Sequence, residues 1–220
     1  MLTVQKVSKQ FTRHVLRDVS FTRELGSVTL LLGANGSGKT TLLRILAHLM
    51  CSNSGTVHFN GNTIQATQIS FVGHQTMLYD ELSPRENLEL FLSLRGIQYD
   101  LNIAFDEWKL KDRDVRVKDL SQGNKVKVSL IRAFASDAPL LFLDEPSSSL
   151  DSVATELLLS KITQRAQAGA ITIISTHDLE RLSEIGSSAL LLHGGYVAAD
   201  SSADEQTKEA VITEYHKHNR

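Results

Sequence analysis

The sequence has a single cysteine, a small net charge and no long apolar run, and each of these features excludes a class of protein. The single cysteine, Cys51, excludes an internal disulfide and fits a reducing compartment. A net charge of −2 over 220 residues provides no bulk attraction to nucleic acid or anionic lipid. No apolar run approaches the roughly 20 residues of a membrane helix, and residues 1–4 lack secretory character. We therefore expect a cytoplasmic protein without a membrane-spanning helix.

Apolar segments of strand and helix character alternate along the chain, and 41 % of the residues are apolar, enough for a packed core. Continuous apolar runs at 28–32, 69–73, 140–143 and 171–175 are typical of parallel strands buried on both faces. Residues 2–32 predict strands, and residues 97–119 indicate a helical subdomain. The sequence predicts an α/β fold with a mostly parallel sheet, an N-terminal antiparallel β part and an inserted helical subdomain.

Residues 33–40, Gly-Ala-Asn-Gly-Ser-Gly-Lys-Thr, match the pattern G-x-x-x-x-G-K-[ST] at every fixed position. A predicted strand precedes them and a predicted helix follows, which is the context that this phosphate-binding loop requires. The glycines bring backbone N–H groups onto phosphate oxygens, and the helix start adds its positive dipole end. Lys39 would reach the terminal phosphates, and the Thr40 hydroxyl would ligate Mg²⁺. The predicted phosphate-binding residues are Gly33, Ala34, Asn35, Gly36, Ser37, Gly38, Lys39, Thr40 and Thr41.

Polar side chains follow three further predicted strands. Asp144 ends one strand, where a carboxylate can hold Mg²⁺, and Glu145 can orient the attacking water. Gln75 can contact the metal or the water, and His177 can bond the γ-phosphate or hold Glu145. The alternative is a pair of solvated acids with local hydrogen-bonding residues. Because ligands of such sheets bind at the carboxyl ends of the strands, we expect one crevice to hold these residues and Gly33.

Two further features leave alternatives open on the residues alone. Phe11 lies in a polar turn, where its ring either stacks on an adenine or folds into the sheet core. Ser121 and Gly123 lie at a helix start that offers a hydroxyl and free N–H groups. This start is either a second anion site or an ordinary cap formed by Ser121. Spacing does not separate capping from phosphate binding.

Taken together, these motifs resemble the ATP-binding subunit of ABC transporters over essentially the whole chain. Residues 33–40 resemble the Walker A loop, 140–145 Walker B, 147–151 the D-loop, Gln75 the Q-loop and His177 the switch histidine. Phe11 falls where the family stacks its adenine. Residues 120–124, Leu-Ser-Gln-Gly-Asn, are similar to the signature L-S-G-G-Q, with Gln122 and Asn124 replacing a glycine and the glutamine.

The resemblance implies a P-loop NTPase that is a single ABC-type domain over residues 1–220, with a catalytic core of 1–75 and 136–220 and a helical subdomain of 76–135. ATP and Mg²⁺ are the implied cofactors, and Thr40, Gln75 and Asp144 the implied metal site. The implied catalytic residues are Lys39, Gln75, Glu145 and His177. Two copies would meet head to tail, each ATP contacting Lys39 of one and Ser121 and Gly123 of the other.

The resemblance also implies partners in the membrane. The subunit would lie peripherally on the inner face of the membrane, and its helical subdomain would receive a coupling helix of the membrane partner. The candidates for the contact with that helix are Met77, Leu78, Tyr79 and Leu82. Residues 73–75, Gly-His-Gln, resemble the haem exporter ATPase of cytochrome c maturation. One alternative is a regulatory module that binds ATP and hydrolyses it slowly, which the altered signature supports. ABC proteins acting on DNA or ribosomes usually carry a coiled-coil insertion or two ATPase halves, which this sequence does not show.

Overall fold

The computed structural model describes residues 1–202 and 207–218, with the side chain of His218 left out, and these residues form ten strands and seven α-helices. The strands are β1 Leu2–Gln10, β2 His14–Arg23, β3 Val28–Leu32, β4 Ser54–Phe59, β5 Asn62–Thr63, β6 Ile69–Val72, β7 Leu140–Asp144, β8 Ile171–Ser175, β9 Ser188–His193 and β10 Tyr196–Asp200. The helices are α1 Lys39–Leu46, α2 Pro84–Arg95, α3 Leu101–Glu107, α4 Gln122–Phe134, α5 Ser152–Gln167, α6 Leu179–Leu182 and α7 Lys208–His218.

Two sheets carry the fold. The larger has the order β10-β9-β3-β8-β7-β6, and every neighbouring pair in it is parallel except β9 with β10. The smaller is antiparallel, with the order β2-β1-β4-β5. The predicted fold class, a mostly parallel core with an N-terminal antiparallel part, is confirmed. The order β3-β8-β7 brings the ends of three strands side by side.

The central strands are apolar throughout because both faces of the sheet are covered. In β7, Leu141 and Leu143 join one core cluster, and Leu140 and Phe142 join the other. β8 divides in the same way, since Ile174 faces the first cluster and Ile173 the second. Alternating side chains point to opposite faces of a strand, so a continuous apolar run satisfies both cores at once.

Between β6 and β7 the described chain forms helices and no strand. α2 begins at the predicted cap, where Ser83 Oγ accepts from Glu86 N and the Glu86 side chain accepts from Ser83 N. Gly96 ends this helix in a left-handed conformation, with φ of 64°. The capping box and the glycine C-cap are local signals, so the sequence alone predicts where this helix begins and ends.

The C-terminal helix packs against the core although its sequence is mostly polar. The sequence predicts one helix after Ser201, and α7 occupies residues 208–218; residues 203–206 and 219–220 lie outside the described part. Val211 and Tyr215 of α7 are buried in the core cluster that also contains residues of α2, α3, α4 and α5. Among all the described helices, none combines the length and apolar character needed to cross a bilayer.

Candidate active site at the carboxyl edge of the parallel sheet

The predicted site residues follow the strands of the parallel sheet. Gly33 comes directly after β3, Asp144 is the last residue of β7, and His177 lies two residues after β8. Gln75 lies three residues after β6 and is exposed. Because these four strands are parallel, their carboxyl ends share one edge of the sheet, as expected.

The loop between β3 and α1 requires glycine at two positions. Gly33 has φ of 146°, and a Cβ there would lie 2.4 Å from the Leu192 carbonyl oxygen. Gly38 has φ of 107°, and its Cβ would lie 2.7 Å from Leu16. Both glycines therefore let the loop turn tightly against the sheet, which keeps the N–H groups of the helix start open to a ligand.

Lys39 folds back over this loop. Its Nζ donates to the carbonyl oxygens of Gly33 (2.7 Å) and Ala34 (3.3 Å). The side chain is buried, and desolvation lowers the Lys39 pKa while the charges of Glu145 and Asp144 oppose that shift. A buried ammonium beside two carboxylates concentrates positive and negative groups in one place, as a site for a polyphosphate and a cation requires.

Ser37 carries an unpaired hydroxyl group in the same loop. Its Oγ is buried and, among the described residues, lacks a hydrogen-bond partner. Such orphaned groups are rare in folded proteins because each costs free energy. Together with Lys39, the open N–H groups and the carboxylates, this hydroxyl fits a bound phosphate chain with its divalent ion.

Ser175 holds the two acids at the end of β7. Its buried hydroxyl donates to Asp144 Oδ1 at 2.6 Å and accepts from the Glu145 backbone N–H at 3.1 Å. Asp144 is buried, whereas Glu145 adopts φ of 51°. The Glu145 carboxylate is partly exposed, so the adjacent acids occupy different environments.

His177 lies against the second of these acids. Its Nε2 is 3.2 Å from Glu145 Oε1, and its Nδ1 is 3.1 Å from the Tyr215 hydroxyl of α7. The ring is partly open to solvent, as is the Glu145 carboxylate. The structure therefore brings His177 and Glu145 together, as one of the sequence-based interpretations expects.

A cleft of about 240 Å³ joins the loop to Glu145. It is lined by Arg13, Val15, Asn35, Gly36, Gly38, Lys39, Thr40, Thr41 and Glu145. A larger groove, about 790 Å³, lies among residues 85–102 of the helical region. The larger groove contains none of the phosphate-loop or strand-end residues, whereas the smaller cleft is lined by residues of the loop and by Glu145.

Nine of the predicted site residues do not line this cleft: Phe11, Gly33, Ala34, Ser37, Gln75, Ser121, Gly123, Asp144 and His177. Ser121 and Gly123, at the start of α4, do not line it, and Ser121 Oγ caps the helix by accepting from Asn124 N at 3.2 Å. The capping alternative is thus observed. Phe11 is 54 % exposed in the turn between β1 and β2, so its ring is not folded into the sheet core.

Sequence reasoning missed Arg13, Ser175 and Tyr215. Arg13 lines the cleft two residues after Phe11, Ser175 orders the acids, and Tyr215 contacts His177. Arg13 had a local signal, since it is a cation in the same turn as the exposed aromatic. Tyr215 follows His177 by 38 residues, and no spacing rule connects them.

The chain belongs to the ABC transporter family, in which it is an ATP-binding subunit. A family model described as ABC transporter matches residues 16–148, which include the phosphate loop, the signature-like segment and both acids. The chain is therefore an ATPase that uses ATP with Mg²⁺ and works with membrane subunits. This confirms the resemblance drawn from the motifs.

Several known proteins are similar over most of the chain. The ABC-type transporter ATP-binding protein EcsA of Bacillus subtilis is 31 % identical over 218 residues, which cover 93 % of this chain and 88 % of EcsA. The cytochrome c biogenesis ATP-binding export protein CcmA of Nitrosococcus oceani is 34 % identical over 172 residues, or 75 % of this chain and 80 % of CcmA. A solved structure titled as the ATP binding subunit of an ABC transporter superposes with a TM-score of 0.88 at 27 % identity, and the match covers 98 % of this chain and 99 % of that one.

Proposed function

We propose that the cleft beside Lys39 is the site at which this chain hydrolyses ATP to drive a transporter. The observation that carries the proposal is the convergence of a buried ammonium, an unpartnered buried hydroxyl and two carboxylates of different environment at one sheet edge. The residues of the loop bind the phosphate chain through backbone N–H groups, and Lys39 exchanges the Gly33 and Ala34 carbonyls for phosphate oxygens.

The metal-binding groups are Thr40, Gln75 and Asp144. Thr40 lines the cleft, and Asp144 is held in place by the Ser175 hydroxyl. Mg²⁺ bound to these oxygens would neutralise the charge that develops on the phosphates. Hard cations prefer oxygen ligands of this kind.

Glu145 orients the attacking water, and His177 positions Glu145. The carboxylate lines the cleft and accepts from His177 Nε2. A carboxylate held in this way can accept a proton from water as the water attacks the terminal phosphate. We infer that the same Nε2–H donates to the terminal phosphate when it releases Glu145.

A second copy of the chain completes the site. The cleft of about 240 Å³ is below the range of roughly 300–1,000 Å³ in which small ligands are usually enclosed. Ser121 and Gly123 do not line the cleft of their own chain, so they are free to contact the terminal phosphate across a head-to-tail dimer. Phe11, exposed beside the cleft-lining Arg13, stacks on the adenine.

Residues 76–135 form the helical subdomain and receive the membrane partner, while residues 1–75 and 136–220 form the catalytic core. Met77 and Tyr79 are exposed, and Leu78 and Leu82 are partly buried beside them. Exposed apolar groups that follow Gln75 directly can connect a membrane subunit to the metal site. The chain accordingly lies on the cytoplasmic face of the membrane as a peripheral subunit.

ATP turnover by the purified protein, compared with Glu145→Gln, tests this function against a regulatory module with slow hydrolysis. We expect Glu145→Gln to lower turnover at least tenfold and to keep ATP binding, because general-base groups contribute about 10²–10⁴-fold. Equal, slow turnover in both proteins would favour the regulatory module.

A haem exporter of cytochrome c maturation is the transporter that we propose. Residues 73–75, Gly-His-Gln, and the 34 % identity to CcmA of Nitrosococcus oceani support it, and EcsA, which matches over a longer segment, represents the competing assignment. Affinity purification of the tagged chain from its native membrane, with mass spectrometry of the retained membrane protein, tests the cargo. Retention of an EcsA-type membrane partner would contradict the haem assignment.

A further inference from the structure

The C-terminal helix α7 reaches the catalytic pair through one hydroxyl group. Tyr215 Oη lies 3.1 Å from His177 Nδ1, while the Nε2 of the same ring lies 3.2 Å from Glu145 Oε1. The histidine therefore bridges a tyrosine on one side and the proposed water-orienting carboxylate on the other. No motif of the sequence gives Tyr215 a role.

Packing fixes the position of this hydroxyl. Lys208, Val211 and Tyr215 recur at the spacing of one helix face. Lys208 Nζ donates to the carbonyl oxygens of Ser183 at 2.8 Å and Gly186 at 3.0 Å, and Val211 is fully buried. The Tyr215 side chain is 8 % exposed in the same core cluster. The helix is anchored at both ends of this face, so the hydroxyl is held at a defined place.

The chemistry of the three groups assigns the protons. An ionised carboxylate only accepts hydrogen bonds, so the His177 Nε2 that faces Glu145 carries the hydrogen. In a neutral ring the other nitrogen, Nδ1, is then an acceptor, and the Tyr215 O–H donates to it. Burial, with a smaller contribution from the charge of Glu145, raises the Tyr215 pKa, which keeps this donor protonated.

We propose that Tyr215 is a positioning residue that holds His177 in its Nε2–H tautomer and aims that hydrogen at Glu145. The inference rests on the proposed roles of His177 and Glu145. It links α7 to the hydrolysis step and leaves ATP binding independent of the hydroxyl, because Tyr215 does not line the cleft.

Tyr215→Phe tests the kinetic consequence, because it keeps the buried ring and removes only the hydroxyl. We expect kcat to fall by about 2- to 12-fold, the range that one net hydrogen bond provides, with KM for ATP within about twofold of the original value, because the hydroxyl lies outside the cleft that binds ATP. The matched control is Tyr99→Phe, which removes a hydroxyl from the groove among residues 85–102 and should leave kcat unchanged. In a His177→Ala background, Tyr215→Phe should cause no further loss. Independent, multiplying losses would overturn the proposal.

Nitrogen NMR of the His177 ring, at a pH where the ring is neutral, tests the tautomer without requiring turnover. The signal is assigned by its disappearance in His177→Ala. We expect a single Nε2–H tautomer in the unmodified chain and a mixture in Tyr215→Phe. Ile212→Ala, which trims the apolar packing of α7 and keeps the hydroxyl, should lower the melting temperature and retain the tautomer.

The outcomes separate this inference from the proposed function. An unchanged tautomer in Tyr215→Phe, or a loss of the tautomer in Ile212→Ala as large as in Tyr215→Phe, would refute the positioning role of the hydroxyl. A changed tautomer in a protein whose turnover does not depend on Glu145 would support the contact and contradict the proposed catalytic roles.

Discussion

Replacing Lys39 by methionine should separate ATP binding from folding stability, because Lys39 affects the two in opposite directions. The side chain is 7 % exposed, and burial lowers its pKa, with the charges of Glu145 and Asp144 opposing the shift. A folded-state pKa below the unfolded one means that protonated Lys39 reduces the free energy of unfolding at neutral pH. This reduction begins to disappear as the pH rises through the folded pKa and is absent above the unfolded value, about 10.4.

The two effects can be measured on one variant. Without the charged side chain, the unfolding free energy of Lys39→Met at pH 7 should equal or exceed that of the original chain, and the difference should shrink at alkaline pH. Binding should change the other way. Hydrogen bonds to charged groups contribute about 1.5–3 kcal/mol, so the affinity for ATP with Mg²⁺ should weaken by about 10- to 150-fold. Isothermal titration calorimetry and urea unfolding supply the two values.

Lys127 provides the matched control, because it is another buried lysine outside the phosphate loop. It is 7 % exposed, and its ammonium binds Asp151 at 2.9 Å. Lys127→Met should leave ATP affinity within about twofold of the original value, since the residue does not line the cleft. The reasoning is refuted if Lys39→Met retains the original affinity, or if both methionine variants weaken binding equally.

Three further changes test the rest of the site. Glu145→Gln should accumulate a dimer with ATP and Mg²⁺ in gel filtration, because unhydrolysed ATP keeps the two copies together; a monomer peak alone would contradict the head-to-tail arrangement. Gly123→Ala should lower the melting temperature and turnover, since its Cβ would lie 2.6 Å from the Ser149 carbonyl oxygen and overpacking costs about 1–3 kcal/mol. An unchanged melting temperature and turnover would show that the segments containing Gly123 and Ser149 can move apart without cost. The N–H of Ala154, and then the ammonium of Lys127, lower the Asp151 pKa, so its charge stabilises the fold above the unfolded value of about 4 and loses this effect as the pH falls through the folded value. The free energy of unfolding in urea should accordingly be lower for Asp151→Asn than for the original chain at pH 7, and the two values should be equal at the lowest pH. A difference between the two free energies that stays the same at every pH would contradict this.

Most of the fold could be predicted from local signals in the sequence. The capping box at Ser83 placed the start of α2, and the pair Asn60-Gly61 placed the turn between β4 and β5, where both residues have positive φ. The phosphate loop was placed by residue types that only a tight, ligand-facing turn requires. Each of these signals lies within a few neighbouring residues, which is the range over which a single sequence is informative.

The rest depends on contacts between distant segments. Ser175 reads in the sequence as one more residue of a buried strand, and only the pairing of Asp144 with Ser175 in the β7–β8 register brings its hydroxyl to the acids. The tail containing Tyr215 reads as a polar helix, and only its docking on the core brings the hydroxyl to His177. The predicted roles of the site residues in binding and hydrolysis stay predictions, including those of Gln75, Ser121 and Gly123, which do not line the cleft of one chain.

The backbone at Glu145 shows why two adjacent acids can have separate tasks. Consecutive residues of a strand point to opposite faces of the sheet, so an extended Glu145 would point to the face opposite Asp144. The left-handed φ of 51° redirects it, at a strain of about 1–2 kcal/mol. The Glu145 N–H donates to both the backbone carbonyl and the hydroxyl of Ser175, each at 3.1 Å. These two contacts offset the strain. The same hydroxyl donates to Asp144, so one serine contacts both acids, of which Asp144 is buried and Glu145 is partly exposed beside His177.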